Sequence, residues 1–158
     1  MPPSLNRPLF TKLLTVASTS TTATSPTFSI PMADNYTFYL NVTTATAGTC
    51  DCVFKTGMDG SAQVAATTFV NIPWRFAQIS TTTGCFVLNV SSGVGGESYD
   101  TTAATGTATL IADTGGALNL QAVVDPANMQ LKYTIATGPD AFTLYVGCWP
   151  RAGGVGSE

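Results

Sequence analysis

The chain has 158 residues, with six Lys or Arg against nine Asp or Glu and no His. Charged residues make up only 9%, where an ordinary soluble domain carries roughly 25%. This argues against nucleic-acid binding, which needs clustered cations to neutralise phosphates; Arg7, Lys12, Lys55, Arg75, Lys132 and Arg151 all stand singly. The lack of His removes imidazole bases and imidazole metal ligands. Polarity comes instead from 27 Thr and 11 Ser, while 44% of residues are hydrophobic. That is enough apolar surface for one folded domain of this length. No apolar run approaches the ~18 residues of a membrane span, and Leu13–Ala17 is too short and polar for the core of a signal peptide.

Residues 1–8 contain three Pro and no periodicity, and read as an extended arm. Leu9 to Val16 is a plausible first strand, and residues 17–27 form a hydroxyl-rich loop or irregular edge. Asn35 to Thr43 alternates cleanly, with Tyr36, Phe38, Leu40 and Val42 on one face and Thr37, Tyr39, Asn41 and Thr43 on the other. This is the signature of a half-buried antiparallel strand. Thr49 to Thr56 alternates again, with Cys50, Cys52 and Phe54 inward. The segment 44–48 is expected to join these two strands as a hairpin, and the Asp59-Gly60 dipeptide to make a turn after the second.

Residues 62–79 are extended and apolar, interrupted at Pro73, which marks a sheet edge or bulge because it cannot donate to a ladder. Cys85 to Val90 reads as a short strand buried on both faces. Four more strands are expected at 106–113, 117–124, 130–137 and 141–148. Turns are expected at Asp113–Gly116, Asp125–Asn128 and Gly138–Asp140, the first and last of them as hairpins. The tail 151–158 is Gly-rich and expected to be flexible. No window holds a 3.6-residue apolar period, and the strand-forming residues Thr, Val, Phe and Tyr are abundant. The expected architecture is all-β: an antiparallel two-sheet β-sandwich of jelly-roll or Ig-like type over residues 28–150, preceded by an N-terminal arm (1–27) with one short strand.

The four cysteines, Cys50, Cys52, Cys85 and Cys148, read as small buried hydrophobes. Cys50 and Cys52 lie two apart on a strand, so their Cβ vectors run parallel, which disfavours a mutual disulfide. Asp59, Asp113, Asp125 and Asp140 neighbour Gly or Pro in expected turns, where a carboxylate bonds the turn backbone. Glu97 and Asp100 are placed together in one loop, as a carboxylate pair or weak calcium site at most. Asp51 should point away from its flanking cysteines. A Cys nucleophile would lack an activating base, and no serine elbow is present. The expectation is therefore no catalytic residue, no cofactor and no metal.

A surface of Thr and Ser is cheap to desolvate, and a weakly charged β surface suits a chain that lives in an assembly. The candidate partner-binding residues are Leu5, Arg7, Leu9 and Phe10 in the arm, Trp74 and Arg75 beside Pro73, and Trp149, since Trp and Arg are favoured at binding hot spots.

Three stretches narrow the reading: Thr49-Cys-Asp-Cys-Val-Phe-Lys-Thr-Gly-Met-Asp-Gly60, Phe69-Val-Asn-Ile-Pro-Trp-Arg-Phe-Ala-Gln-Ile79, and Gly84 followed by Phe86-Val-Leu-Asn-Val90. Over residues 36–90, and more loosely in the last two strands, this pattern resembles the small capsid decoration (cement) proteins of tailed bacteriophages. Cys50 and Cys52 stand where that pattern prefers Leu and Val. The resemblance implies a structural virion protein, not an enzyme, on the outer surface of an assembled capsid. It implies self-association as a homotrimer, a major capsid protein of HK97-like fold as partner, and assembly in the bacterial host cytoplasm. A receptor- or glycan-binding module of a fibre or spike is the alternative; it predicts exposed aromatics such as Tyr39, Tyr99 or Trp149 grouped on one surface.

Overall fold

The computed structural model describes residues 8–46, 48–61, 63–76, 78–91, 97–100, 109–110 and 123–150. Within them the chain is all strand and turn. In chain order the strands are β1 (Leu9–Thr19), β2 (Ala23–Thr24), β3 (Ala33–Ala45), β4 (Cys50–Gly57), β5 (Phe69–Arg75), β6 (Gly84–Ser91), β7 (Glu97–Asp100), β8 (Thr109–Leu110), β9 (Met129–Ile135) and β10 (Asp140–Pro150). They form two antiparallel sheets. One has six strands in the order β1-β10-β3-β6-β7-β8, the other four in the order β2-β9-β4-β5. Among the described residues no helix is long and apolar enough to cross a membrane.

The two sheets share one core, built from their alternating strands. From the six-stranded sheet come Tyr36, Phe38, Leu40 and Val42 of β3, Phe86, Leu88 and Val90 of β6, and Phe142, Leu144 and Val146 of β10. From the other come Cys50, Cys52 and Phe54 of β4, Ile72 and Trp74 of β5, and Met129 and Leu131 of β9. Aromatic rings carry the contact between sheets. Phe38 lies 4.5 Å from Phe54 and 5.9 Å from Trp74, centroid to centroid, and Tyr36 lies 5.8 Å from Trp74. Burying each such side chain contributes roughly 1.5–3 kcal/mol. The Tyr36 hydroxyl is satisfied where it is buried, donating to the Pro31 carbonyl at 2.8 Å and accepting from the Ala33 N–H.

Several expectations are corrected. The segment 44–48 does not make a hairpin: β3 pairs with β10 and β6, while β4 pairs with β9 and β5, so the chain crosses between sheets there. Gly48 makes the crossing possible, with φ of 74° and Thr137 too close to admit a Cβ. Gly138–Asp140 is likewise a crossing, since β9 and β10 belong to different sheets. Alternation fixes which face of a strand is buried but not which strand it pairs with, so neither crossing is marked in the local pattern. β6 is buried on one face only, with Asn89 exposed and Cys85 and Val87 half-buried. Glu97–Asp100 is not loop but strand β7, paired with Phe86–Asn89 of β6. The first strand, expected over Leu9 to Val16, is present and runs three residues further, from Leu9 to Thr19, pairing with β10. The expected turn Asp113–Gly116, the strand beginning at 117 for most of its length, the tail, and Leu5 and Arg7 lie outside the described residues.

Two of the four turn carboxylates, Asp59 and Asp125, behave as expected; Asp113 lies outside the described residues, and Asp140 begins strand β10 instead. Asp125 Oδ1 accepts the Ala127 N–H at 3.0 Å. Asp59 holds the β4–β5 connection: its Oδ1 accepts the Thr67 and Thr68 N–H groups, each at 2.9 Å, and its Oδ2 accepts both threonine hydroxyls. Asn128 ties that connection to the turn before β9. It is buried, accepts the Ala66 N–H at 2.9 Å and donates to Asp125 Oδ2 at 2.7 Å.

Candidate interaction face

The outward residues of the six-stranded sheet line up in rows across the strands. One row runs Lys12, Tyr145, Tyr39 and Val87, with Tyr99 and Leu110 continuing the register on β7 and β8. The next runs Phe10, Gly147, Thr37 and Asn89, with the acidic Glu97 continuing the register on β7. A third runs Thr15, Thr143, Asn41 and Cys85. Directly opposed side chains on one face of antiparallel strands lie close enough to interact, and they do. Thr37 Oγ1 donates to Asn89 Oδ1 at 2.8 Å, and the Thr15 and Thr143 hydroxyls stand 3.5 Å apart.

The aromatics give this face its relief. Phe10 is 64% exposed and Tyr145 36%. Trp149, 58% exposed, continues the outward series of β10 beyond Gly147. Phe10 reaches across Gly147 to place its ring 6.2 Å from that of Tyr39. Among the described side chains of the three rows, Lys12 carries the sole charge. The outer face of the four-stranded sheet differs: Asp51, Lys55, Arg75 and Lys132 all occupy its outward positions. Asp51 there accepts the Gln78 amide at 3.0 Å, as its separation from the flanking cysteines requires.

The structure separates the candidate residues. Phe10 and Trp149 lie on the six-stranded sheet's outer face, and Leu9 is half-exposed at its edge strand. Arg75 is exposed on the opposite side of the molecule. Trp74 is fully buried among Tyr36, Phe38 and Phe54, and so offers no area to a partner. Pro73 does sit in an edge strand, but the pleat turns the next side chain inward. Tyr145 was missed, although its outward phase follows from the alternation Phe142, Leu144, Val146.

The cysteines are free thiols. Cys50 and Cys52 are fully buried with their sulfurs 3.8 Å apart. The Cys50 thiol beside it, together with burial, holds the Cys52 thiol well above its ordinary range, and neither sulfur is exposed to solvent. Among the described residues, no three His, Cys, Asp or Glu side chains come together as a metal site. No family model, no curated protein and no solved structure matches the chain.

Proposed function

We propose that the chain is a structural virion protein that decorates the outer surface of an assembled bacteriophage capsid and stabilises it. The observation that carries this reading is the outer face of the six-stranded sheet, where exposed aromatics sit among Thr and Asn with almost no charge. Interface centres have this composition: aromatic-rich and depleted of charged groups. The sheet's area is adequate as well. Four strands ~4.8 Å apart, each about 30 Å long, cover roughly 600 Å², close to the ~800 Å² per partner of a standard interface.

The strand order adds support. The strands β1-β10-β3-β6 facing β2-β9-β4-β5 follow the order of an eight-stranded jelly roll, with β7 and β8 extending one sheet. We take the fold to be a jelly-roll sandwich, an architecture common in viral shells and lectins. Fold alone does not assign function. The proposed partner is the major capsid protein, with self-association of the decorating subunits.

Co-sedimentation tests the reading. The protein should pellet with assembled bacteriophage shells and not bind unassembled coat subunits. Tyr145→Asp should abolish the pelleting. Failure to bind shells would reject the reading. The grouping of Phe10, Tyr39 and Tyr145 also favours a second reading, a glycan-binding face, since rings can stack on sugar C–H surfaces. Binding on a glycan array without binding to shells would select it.

A further inference from the structure

We infer that Asp140 is an acid-closed latch: while its carboxyl holds a proton, the ends of β1 and β3 stay docked on the start of β10, and when the proton leaves, that corner of the sandwich opens as a unit. A buried polar group normally has a partner, and an orphan calls for an explanation. Asp140 is buried, yet its Oδ1 has no hydrogen-bond partner among the described residues. The Thr46 N–H bonds the carboxyl. Along β10 the position shares the inward phase of Phe142, Leu144 and Val146. A carboxylate taken out of water without a counter-charge is costly, and the neutral acid is much less so.

Three segments meet at this residue. Asp140 faces Thr19 of β1 on one side and Ala45 of β3 on the other. Thr46 Oγ1 donates to the Pro139 carbonyl at 2.9 Å, and a Cβ on Gly138 would come within 2.8 Å of the Ser20 Cα and 2.9 Å of the Thr19 carbonyl oxygen. Both ladders are broken just inside the corner. The β1–β10 register shifts between Val16 and Thr19, and the β10–β3 register between Ala141 and Phe142. Such irregularities interrupt a ladder, so the rungs of Asp140 can separate while the rest of the sheet stays paired, as locally opening units do. Among the described residues no cation is placed to hold the ionised form. The end of β1 brings Thr19 and Ser20, the end of β3 brings Ala45 and Thr46, and the 136–139 connection has no ionisable side chain. β4 brings the thiols of Cys50 and Cys52, while Asp51 between them points outward to Gln78. Contact with Cys50 and burial hold the Cys52 thiol well above its ordinary range, and the Asp140 charge adds to them, so the facing sheet offers a neutral thiol. Lys12 of β1 lies opposite Tyr145, on the outer face. The latch does not rest on the proposed function.

Burial, against the bond from Thr46, raises the carboxyl in the closed corner. The closed state is therefore favoured fully below the ordinary carboxylate range and loses that advantage as pH rises through the closed-state value. Site-resolved hydrogen exchange of the full chain, corrected for the intrinsic pH dependence of exchange, tests this beside the Asp140 carboxyl shift followed by NMR. Protection at Thr46 and at the other protected amides of residues 19–20, 44–46 and 138–141 should be lost over the range in which Asp140 titrates, while β4 and β9 keep theirs. Asp140→Asn keeps an acceptor for the Thr46 N–H and cannot ionise, so its corner should stay protected at every pH. If that variant fails to fold, the wild-type comparison of corner against β4 and β9 decides alone. Constant protection across the titration, a loss shared equally by β4 and β9, an Asp140 that titrates at or below the ordinary carboxylate value, or an unchanged pH dependence in the Asn variant would each overturn the inference.

Discussion

Phe10 and Tyr39 meet across a strand that belongs to neither. Phe10 lies on β1 and Tyr39 on β3, with β10 between them, and their ring centroids stand 6.2 Å apart at 43°. Gly147 of β10 makes the contact possible, because a Cβ there would come within 2.8 Å of the Phe10 ring and 3.4 Å of the Tyr39 ring. The glycine is a notch through which an edge-strand side chain reaches the third strand.

Gly147→Val should therefore push Phe10 off Tyr39. Such aromatic pairs contribute about 0.5–1.5 kcal/mol beyond area burial, and Phe10→Ala should lose a similar amount. The two changes share one interaction, so their effects in urea denaturation should fall short of additive. Full additivity would show that Phe10 is not held through the notch.

The two tryptophans should behave oppositely. Trp74→Ala empties the aromatic centre of the core and should cost about 3–5 kcal/mol. Trp149→Ala, at an exposed site, should stay within about 0.5 kcal/mol of wild type. Single-tryptophan variants should show iodide quenching of Trp149 and none of Trp74.

Asp59 links the β4–β5 connection to acid. The Thr67 hydroxyl and the Thr68 N–H hold its carboxyl well below the usual carboxylate range. A folded-state value below the unfolded one gives stability that is complete above the unfolded value and is lost as pH falls through the folded one. Hydrogen exchange at the Thr67 and Thr68 amides should accelerate in strong acid. Asp59→Ala should produce the same acceleration at neutral pH.

Asp140 should show the reverse dependence. It is buried at the start of β10, its Oδ1 has no hydrogen-bond partner among the described residues, and burial pushes its carboxyl up against the opposing bond from the Thr46 N–H. Its contribution is complete below the unfolded carboxylate value and is lost as pH rises through the folded one. Asp140→Asn should remove that decline, leaving the variant's denaturation midpoint flatter than wild type between mildly acidic and neutral pH. An unchanged profile would locate the decline elsewhere.

Thiol labelling reads the core directly. Cys85 is half-buried on an outer face, while Cys50, Cys52 and Cys148 are buried. Alkylation of the native protein should reach Cys85 first. Cys50 and Cys52 should react only at the rate of unfolding, and with it in denaturant. Early labelling of Cys52 would mean that β4 opens locally.

Much of the candidate face was legible in residues taken one at a time. Tyr39 and Thr37 follow from the alternation of β3, and Asp59 and Asp125 from their turn dipeptides. The clustering was not legible, because Phe10, Tyr39 and Tyr145 are far apart in sequence and meet only through strand pairing. The scarcity of charge was plain, and Asp51, Lys55, Arg75 and Lys132 already fall in expected extended segments; that all four share one outer face emerged only from the pairing of β4, β5 and β9. Nor did anything local mark Asn128 as the residue that joins two connections.

By itself the sequence determined most of the described strands, the buried faces of β3 and β4, and a surface poor in charge and rich in hydroxyls. These depend on local periodicity and composition, which act on each residue through its near neighbours. Only the tertiary structure decided which sheet each strand joined and that Trp74 is core while Trp149 is surface. Those outcomes depend on long-range pairing. Two strands with the same alternation bury the same face whichever partner they find, so the choice rests on how the whole set closes around one core.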